Sequence, residues 1–318
     1  MPVNLSAIFL YVLLPILVMI LLGALVNRRG RIQIDSLNQI TIYLLVPSFL
    51  FEQVYDSSLS WADIAEITYG TSLPILLLGS MLFWTYRQCR IENNTIAALL
   101  LGGLVYNAGN FGLPITELFY QQHPNIFPGM DGEGLSVQAM VIMLSNLSVW
   151  FFGYGVIAYG KGQGFRGALG FFRLPMAYTV IAAFTVRETG ITIPMFLLTP
   201  IEYLADATVP IMLLTLGAQL AKNAQWPSWR MIGPLMVVKL LLLPAVTAAV
   251  VYLLGMWPWP GAQLVIAAAA PTAVNTLILS VKLDGDRRTA ADCVFWTTVG
   301  SAASVTLILV LVAYLGGG

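Results

Sequence analysis

Ten runs of about twenty apolar residues each follow one another along this 318-residue chain. They fall at roughly 6–26, 36–55, 64–86, 95–119, 135–159, 174–193, 198–221, 231–255, 261–281 and 289–315, each long enough to cross a bilayer as a helix. In hydrocarbon every backbone N–H and C=O needs an internal partner, and a helix satisfies its own. The runs predict an all-α polytopic membrane protein with ten transmembrane helices. Composition agrees, with 58% hydrophobic residues, 9% charged residues and a mean hydropathy of +0.82, far from a soluble domain. A formal net charge of zero offers no purchase for nucleic acid. Two cysteines, Cys89 and Cys293, make neither a disulfide framework nor a metal site. Met1 to Leu5 carry no basic residue, so the first run reads as a retained helix and not a cleaved signal.

The basic residues orient the chain. Arg28, Arg29 and Arg31 follow the first run, Arg87 and Arg90 the third, Lys161, Arg166 and Arg173 the fifth, Lys222 and Arg230 the seventh, and Lys282, Arg287 and Arg288 the ninth. All these connections lie on one side; only Arg187 and Lys239 fall elsewhere. The positive-inside rule makes that side cytoplasmic and both termini extracytoplasmic, in an inner or plasma membrane.

Two of the runs are interrupted. Asn107-Ala-Gly-Asn-Phe-Gly-Leu-Pro114 breaks the fourth and Ala270-Pro-Thr-Ala-Val-Asn275 the ninth. The second and seventh runs each carry a Val-Pro at mid-helix, ending at Pro47 and Pro210, which mark two further structural breaks. Matching irregularities five runs apart predict two five-helix repeats, 1–160 and 174–318, joined by an interfacial segment at 161–173 with Phe165, Leu169, Phe171 and Phe172. Since five is odd, the second repeat enters the membrane inverted, the organisation of several secondary transporters.

Irregular backbone at membrane depth is tolerated where protein buries it or water reaches it, so the paired breaks are the expected substrate site. Gly109, Gly112 and Pro114 free backbone groups, and Asn107 and Asn110 offer neutral donors and acceptors; Pro271 and Asn275 do the same in the second break. Helix N-termini beyond the breaks would favour an anion. Lys239 lies inside the eighth run, either facing the site as a charge partner or snorkelling to the cytoplasmic interface. Glu202 and Asp206, spaced i and i+4 near the outward end of the seventh run, are candidates for coupling or a solvated face. Asn146, Thr297, Thr298 and Ser301 read as contacts between helices. The one histidine, His123, lies in an outward loop, and no carboxylate lies within either break. No His-Glu-x-x-His, nucleophile elbow or phosphate-binding glycine loop is present, so neither enzyme nor metal nor cofactor is expected.

Asn38 to Phe51, Asn107 to Pro114, Leu216-Gly-Ala218, Pro271 to Asn275 and Ala290 to Thr298 together resemble the auxin efflux carrier family, in the bile acid/sodium symporter-like superfamily. That resemblance implies crossing broken helices 4 and 9, as in sodium/proton antiporters. It also implies a scaffold of helices 1, 2, 6 and 7 and a transport domain of helices 3–5 and 8–10. Carried over by position, Asn107, Asn110, Pro114, Pro271 and Asn275 would hold a substrate carboxylate. Two departures stand out: Asn-Ala-Gly-Asn where the family often has Gly-Asn-Thr-Gly, and no long hydrophilic loop of the plant exporters. A small carboxylate is therefore the safer substrate class than auxin. The expected function is efflux of small organic anions by elevator-type alternating access. A sodium- or proton-coupled symporter of carboxylates or bile-acid-like substrates is the alternative, and a receptor or channel the rival from another class. Expected partners are the anion, the lipid bilayer and a second copy of the chain through the scaffold helices, with no nucleic acid.

Overall fold

The computed structural model describes residues 5–28, 33–123, 133–153, 155–157, 175–223 and 226–316. The expected joint at 161–173, with Lys161, Arg166 and Arg173, lies outside the described residues, as do Arg29 and Arg31. Among the described residues the chain is all helix, without a strand; its one extended pairing is a bridge between Tyr106 and Thr272.

Among the described residues six helices are long and apolar enough to cross a membrane: α1 (Ser6–Arg28), α2 (Ile34–Tyr55), α3 (Trp61–Gln88), α8 (Met195–Lys222), α9 (Trp229–Leu253) and α12 (Arg287–Leu315). The remaining apolar runs are built from shorter pieces. The fourth becomes α4 (Asn93–Leu104) and α5 (Leu113–Gln122), and the ninth becomes α10 (Gly261–Ala269) and α11 (Val274–Lys282). Between these pairs stand α6 (Glu133–Ser148), which passes into a widened turn at Val149–Gly153, and α7 (Pro175–Thr189). Large apolar side chains such as Leu21, Leu77, Trp84, Phe196 and Tyr252 point away from the protein, the surface that lipid would cover.

Proline shapes the long helices without severing them. Pro15, Pro47 and Pro244 each follow a π-helical turn, at Phe9–Leu13, Thr41–Leu45 and Val238–Leu242. A proline offers no N–H and its ring crowds the carbonyl four residues back. The residue before each proline bonds five residues back instead: Leu14 to Phe9, Val46 to Thr41 and Leu243 to Val238. The break expected at Pro47 is thus a widened turn in a continuous helix. At Pro210 the irregularity of α8 lies three residues earlier, at Ala207, whose carbonyl still accepts from the Ile211 N–H at 3.2 Å.

The helices on either side of the breaks are held by close contacts. α1 and α8 cross backbone to backbone, because a Cβ at Gly217 would fall on the Ile20 carbonyl and one at Gly23 on the Leu214 carbonyl. Asn27 Nδ2 donates to the Ala218 carbonyl at 3.1 Å in the same crossing. α2 runs along α7 and the first half of α8. In contrast to these lipid-edged helices, α4 is buried on every side from Thr95 to Leu104, and α10 from Gly261 to Ala269. A short helix apolar all round belongs in a core.

Asp286 staples the N-terminal ends of α4 and α12. Its carboxylate accepts from the Thr289 N–H (3.0 Å), the Thr289 hydroxyl (2.7 Å) and the Thr95 hydroxyl (2.8 Å). Burial pushes this carboxyl up, but the hydrogen bonds outweigh burial and hold it below its ordinary value.

Candidate functional site

The two interruptions meet. Asn107 N–H donates to the Pro271 carbonyl at 2.7 Å and Ala273 N–H to the Val105 carbonyl at 3.2 Å, so Val105–Asn107 and Pro271–Ala273 run antiparallel through the core. The reason is local. Val105 and Ala270 take extended backbone conformations, which end α4 and α10 and leave carbonyls and amides that need partners. Each segment supplies part of what the other lacks.

Side chains complete the set. Gln138 Nε2 on α6 donates to the Ala108 carbonyl (2.7 Å), Ser145 Oγ to the Tyr106 carbonyl (3.1 Å), and Thr272 Oγ1 to the Gly102 carbonyl. Thr297 Oγ1 accepts from the Thr272 N–H at 3.0 Å, the interhelical role expected of it. Gln263 Nε2 on α10 bridges Gln138 Oε1 (2.8 Å) and Thr116 Oγ1 (3.0 Å), all three residues buried. A Cβ at Gly112 would stand 2.8 Å from Gln138 Nε2, so a side chain there would push Gln138 from the Ala108 carbonyl. Pro114 also follows a π-helical turn, Ala108–Gly112, but with a different pattern: Gly112 N–H bonds five residues back to the Asn107 carbonyl at 2.8 Å, while Leu113, the residue before the proline, bonds four back to Gly109.

Beside the crossing lies a small cavity of about 60 Å³. Asn107, Gly109, Asn110 and Asn275 of the expected site line it; Gly112, Pro114 and Pro271 shape the breaks behind it. Its polar lining continues with Asn38 and Thr41 of α2, Ser145 and Asn146 of α6, and Gln219 of α8. Among the described residues, none that lines it carries a charge. Ala108–Asn110 enter α5 and Ala273–Asn275 enter α11, so the N-terminal ends of two helices open on one cavity, where first-turn N–H groups and helix dipoles favour negative charge. Asn275 Nδ2 donates to Asn146 Oδ1 at 2.9 Å, and Gln219 Nε2 to Asn38 Oδ1 at 3.0 Å. Asn107 Nδ2 and Thr41 Oγ1 are buried without a partner.

Four residues noted in the sequence stand apart from the cavity. Lys239 is fully buried and does not reach an interface: its Nζ donates to the Ala268 carbonyl at 3.2 Å and lies 5.0 Å from the centroid of the Tyr106 ring. Glu202 and Asp206 sit in the half of α8 remote from Gln219, partly and fully exposed. His123 caps the end of α5 with Nδ1 at 3.2 Å from the Phe119 carbonyl, and burial lowers its proton affinity. Asn38, Thr41, Gln219 and the Gln138–Gln263 pair were not singled out in the sequence. The signal was there for the glutamines, as uncharged amides deep in apolar runs.

A family model described as membrane transport protein matches residues 168–309, which take in the second interruption and not the first. Relatives align nearly end to end. An uncharacterized transporter of Methanothermobacter thermautotrophicus is 25% identical over 304 residues, 92% of this chain and 95% of that protein. An uncharacterized transporter of Methanocaldococcus jannaschii is 24% identical over 309 residues, 93% and 96% of the two chains. A Rhizobium meliloti protein whose name proposes it as a malonate transporter is 25% identical over 317 residues, 94% of each chain.

Proposed function

Since the chain is a membrane transport protein, related to the auxin efflux carrier family and not an enzyme, we propose that it carries small organic anions through the crossing of its two interrupted helices. The observation that carries this reading is the Asn107 amide, a buried donor without an acceptor, at a cavity onto which two helix N-termini open and which, among the described residues, no charged side chain lines. Donors without acceptors match a carboxylate, which accepts only. A cavity of about 60 Å³ favours short acids over large ones. The name of the Rhizobium meliloti relative points to the same class.

Ten membrane-crossing segments in two inverted repeats account for the reciprocal pairing of Asn107 with Pro271 and Val105 with Ala273, which a two-fold axis in the membrane plane would generate. On this reading α1, α2, α7 and α8 form the scaffold, and the crossing moves past Asn38, Thr41 and Gln219 between its two end states. With the loop charges on the cytoplasmic side, an inside-negative potential drives export by about 2.3 kcal/mol per charge at 100 mV. Counterflow of radiolabelled malonate in proteoliposomes tests the proposal, with a panel of short mono- and dicarboxylates as competitors. Saturable exchange supports a carrier; unitary currents without exchange over the whole panel refute it.

A further inference from the structure

One carbonyl of the second interruption is capped by a lysine side chain. In a continuous helix the Ala268 carbonyl would accept from the Thr272 N–H, but that N–H is turned to Thr297 Oγ1 at 3.0 Å. Lys239 Nζ takes its place at 3.2 Å. Its terminal nitrogen therefore stands at the C-terminal end of α10, the negative end of a helix dipole, with the Tyr106 ring 5.0 Å away, surroundings that favour a positive charge there. At the corresponding end of α4 the Gly102 carbonyl is satisfied by a neutral hydroxyl, that of Thr272. The two half-helix ends are thus capped differently, one by an amine that can carry a charge and one by a neutral hydroxyl. Tyr106 joins the cation to the cavity, since it lines the one and faces the other.

In transporters with interrupted helices, freed carbonyls and half-helix C-termini are where a coupling cation binds. We propose that the Lys239 ammonium is a tethered substitute for that ion: it fills the cation position at the end of α10 and makes anion binding independent of sodium. Its meaning for transport rests on the anion site proposed above, whereas its occupancy of a cation position is open to test on the empty protein.

The experiment compares thermal unfolding of the purified wild type, Lys239→Ala and Lys239→Met in sodium, methylammonium and choline chloride at equal ionic strength. The wild type should unfold at one midpoint in all three salts. Lys239→Ala should unfold earlier in choline and recover part of the loss in sodium or methylammonium, which fit the vacated position. Lys239→Met, which fills the space without a charge, should not recover. A Lys239→Ala midpoint indifferent to the cation overturns the proposal. So does a wild type that sodium stabilises or whose malonate affinity rises tenfold or more in sodium, a result that needs no variant to fold. If no acid binds the wild type, the anion site fails, and the three-salt comparison still decides the role of Lys239.

Discussion

Replacing Asn107 with alanine separates a binding residue from a structural one, because the two roles predict opposite effects on the empty protein. The backbone of Asn107 holds the crossing through its N–H to Pro271 and its carbonyl to Gly112, and both bonds survive in Asn107→Ala. The side-chain Nδ2 is buried with no acceptor. An unmade hydrogen bond of this kind costs about 1–3 kcal/mol, so its removal should leave the unfolding midpoint of the empty protein unchanged or raised. A hydrogen bond from Asn107 to a carboxylate contributes about 1.5–3 kcal/mol, which at about 1.4 kcal/mol per tenfold corresponds to roughly 10- to 150-fold in affinity. Calorimetric titration with the best acid of the panel, paired with thermal unfolding in its absence, reads both quantities. Loss of stability in the empty variant with unchanged affinity would refute the reasoning, since Asn107 would then be a local brace of the break.

Gln138→Leu should do the reverse, lowering stability by about 3 kcal/mol, because it strands the Ala108 carbonyl and breaks the bond to Gln263 within the core; chemical denaturation of the empty protein measures it. Gly217→Ala should destabilise by about 1–3 kcal/mol or more by forcing α1 from α8. Gly233→Ala in α9 meets nothing within 4 Å and should gain about 0.5–1 kcal/mol, so thermal unfolding of the pair tests the packing argument. Asp286→Ala removes the cap of α12 and should cost about 1 kcal/mol at neutral pH. The folded carboxyl lies below its ordinary value, so this contribution is present above the carboxylate range and lost as pH falls through the folded value. Wild type and variant should therefore converge in acid when unfolding midpoints are followed down from neutral pH.

The class of the protein was legible in the sequence because bilayer physics leaves few choices. Six apolar runs appear as full-length helices, and both interruptions fall where Asn107 to Pro114 and Ala270 to Asn275 announce them. Prolines were less legible. Pro47 reads as a break, but whether a freed carbonyl severs a helix or is absorbed by a widened turn depends on what packs around it, and Val46 found Thr41 one residue further back.

What the sequence by itself determined is therefore local: apolar length, loop charge, and the places where the backbone cannot stay helical. Only the tertiary structure decided how the freed groups are matched. Asn107 pairs with Pro271 across 164 positions of chain, Gln138 reaches Ala108 from another helix, and Lys239 turns inward to Ala268 where its length alone equally allowed a path to the interface. Periodicity and propensity describe a residue and its near neighbours; the partner of an orphaned carbonyl is set by which helices cross, and close contacts such as Gly217 against Ile20 set that.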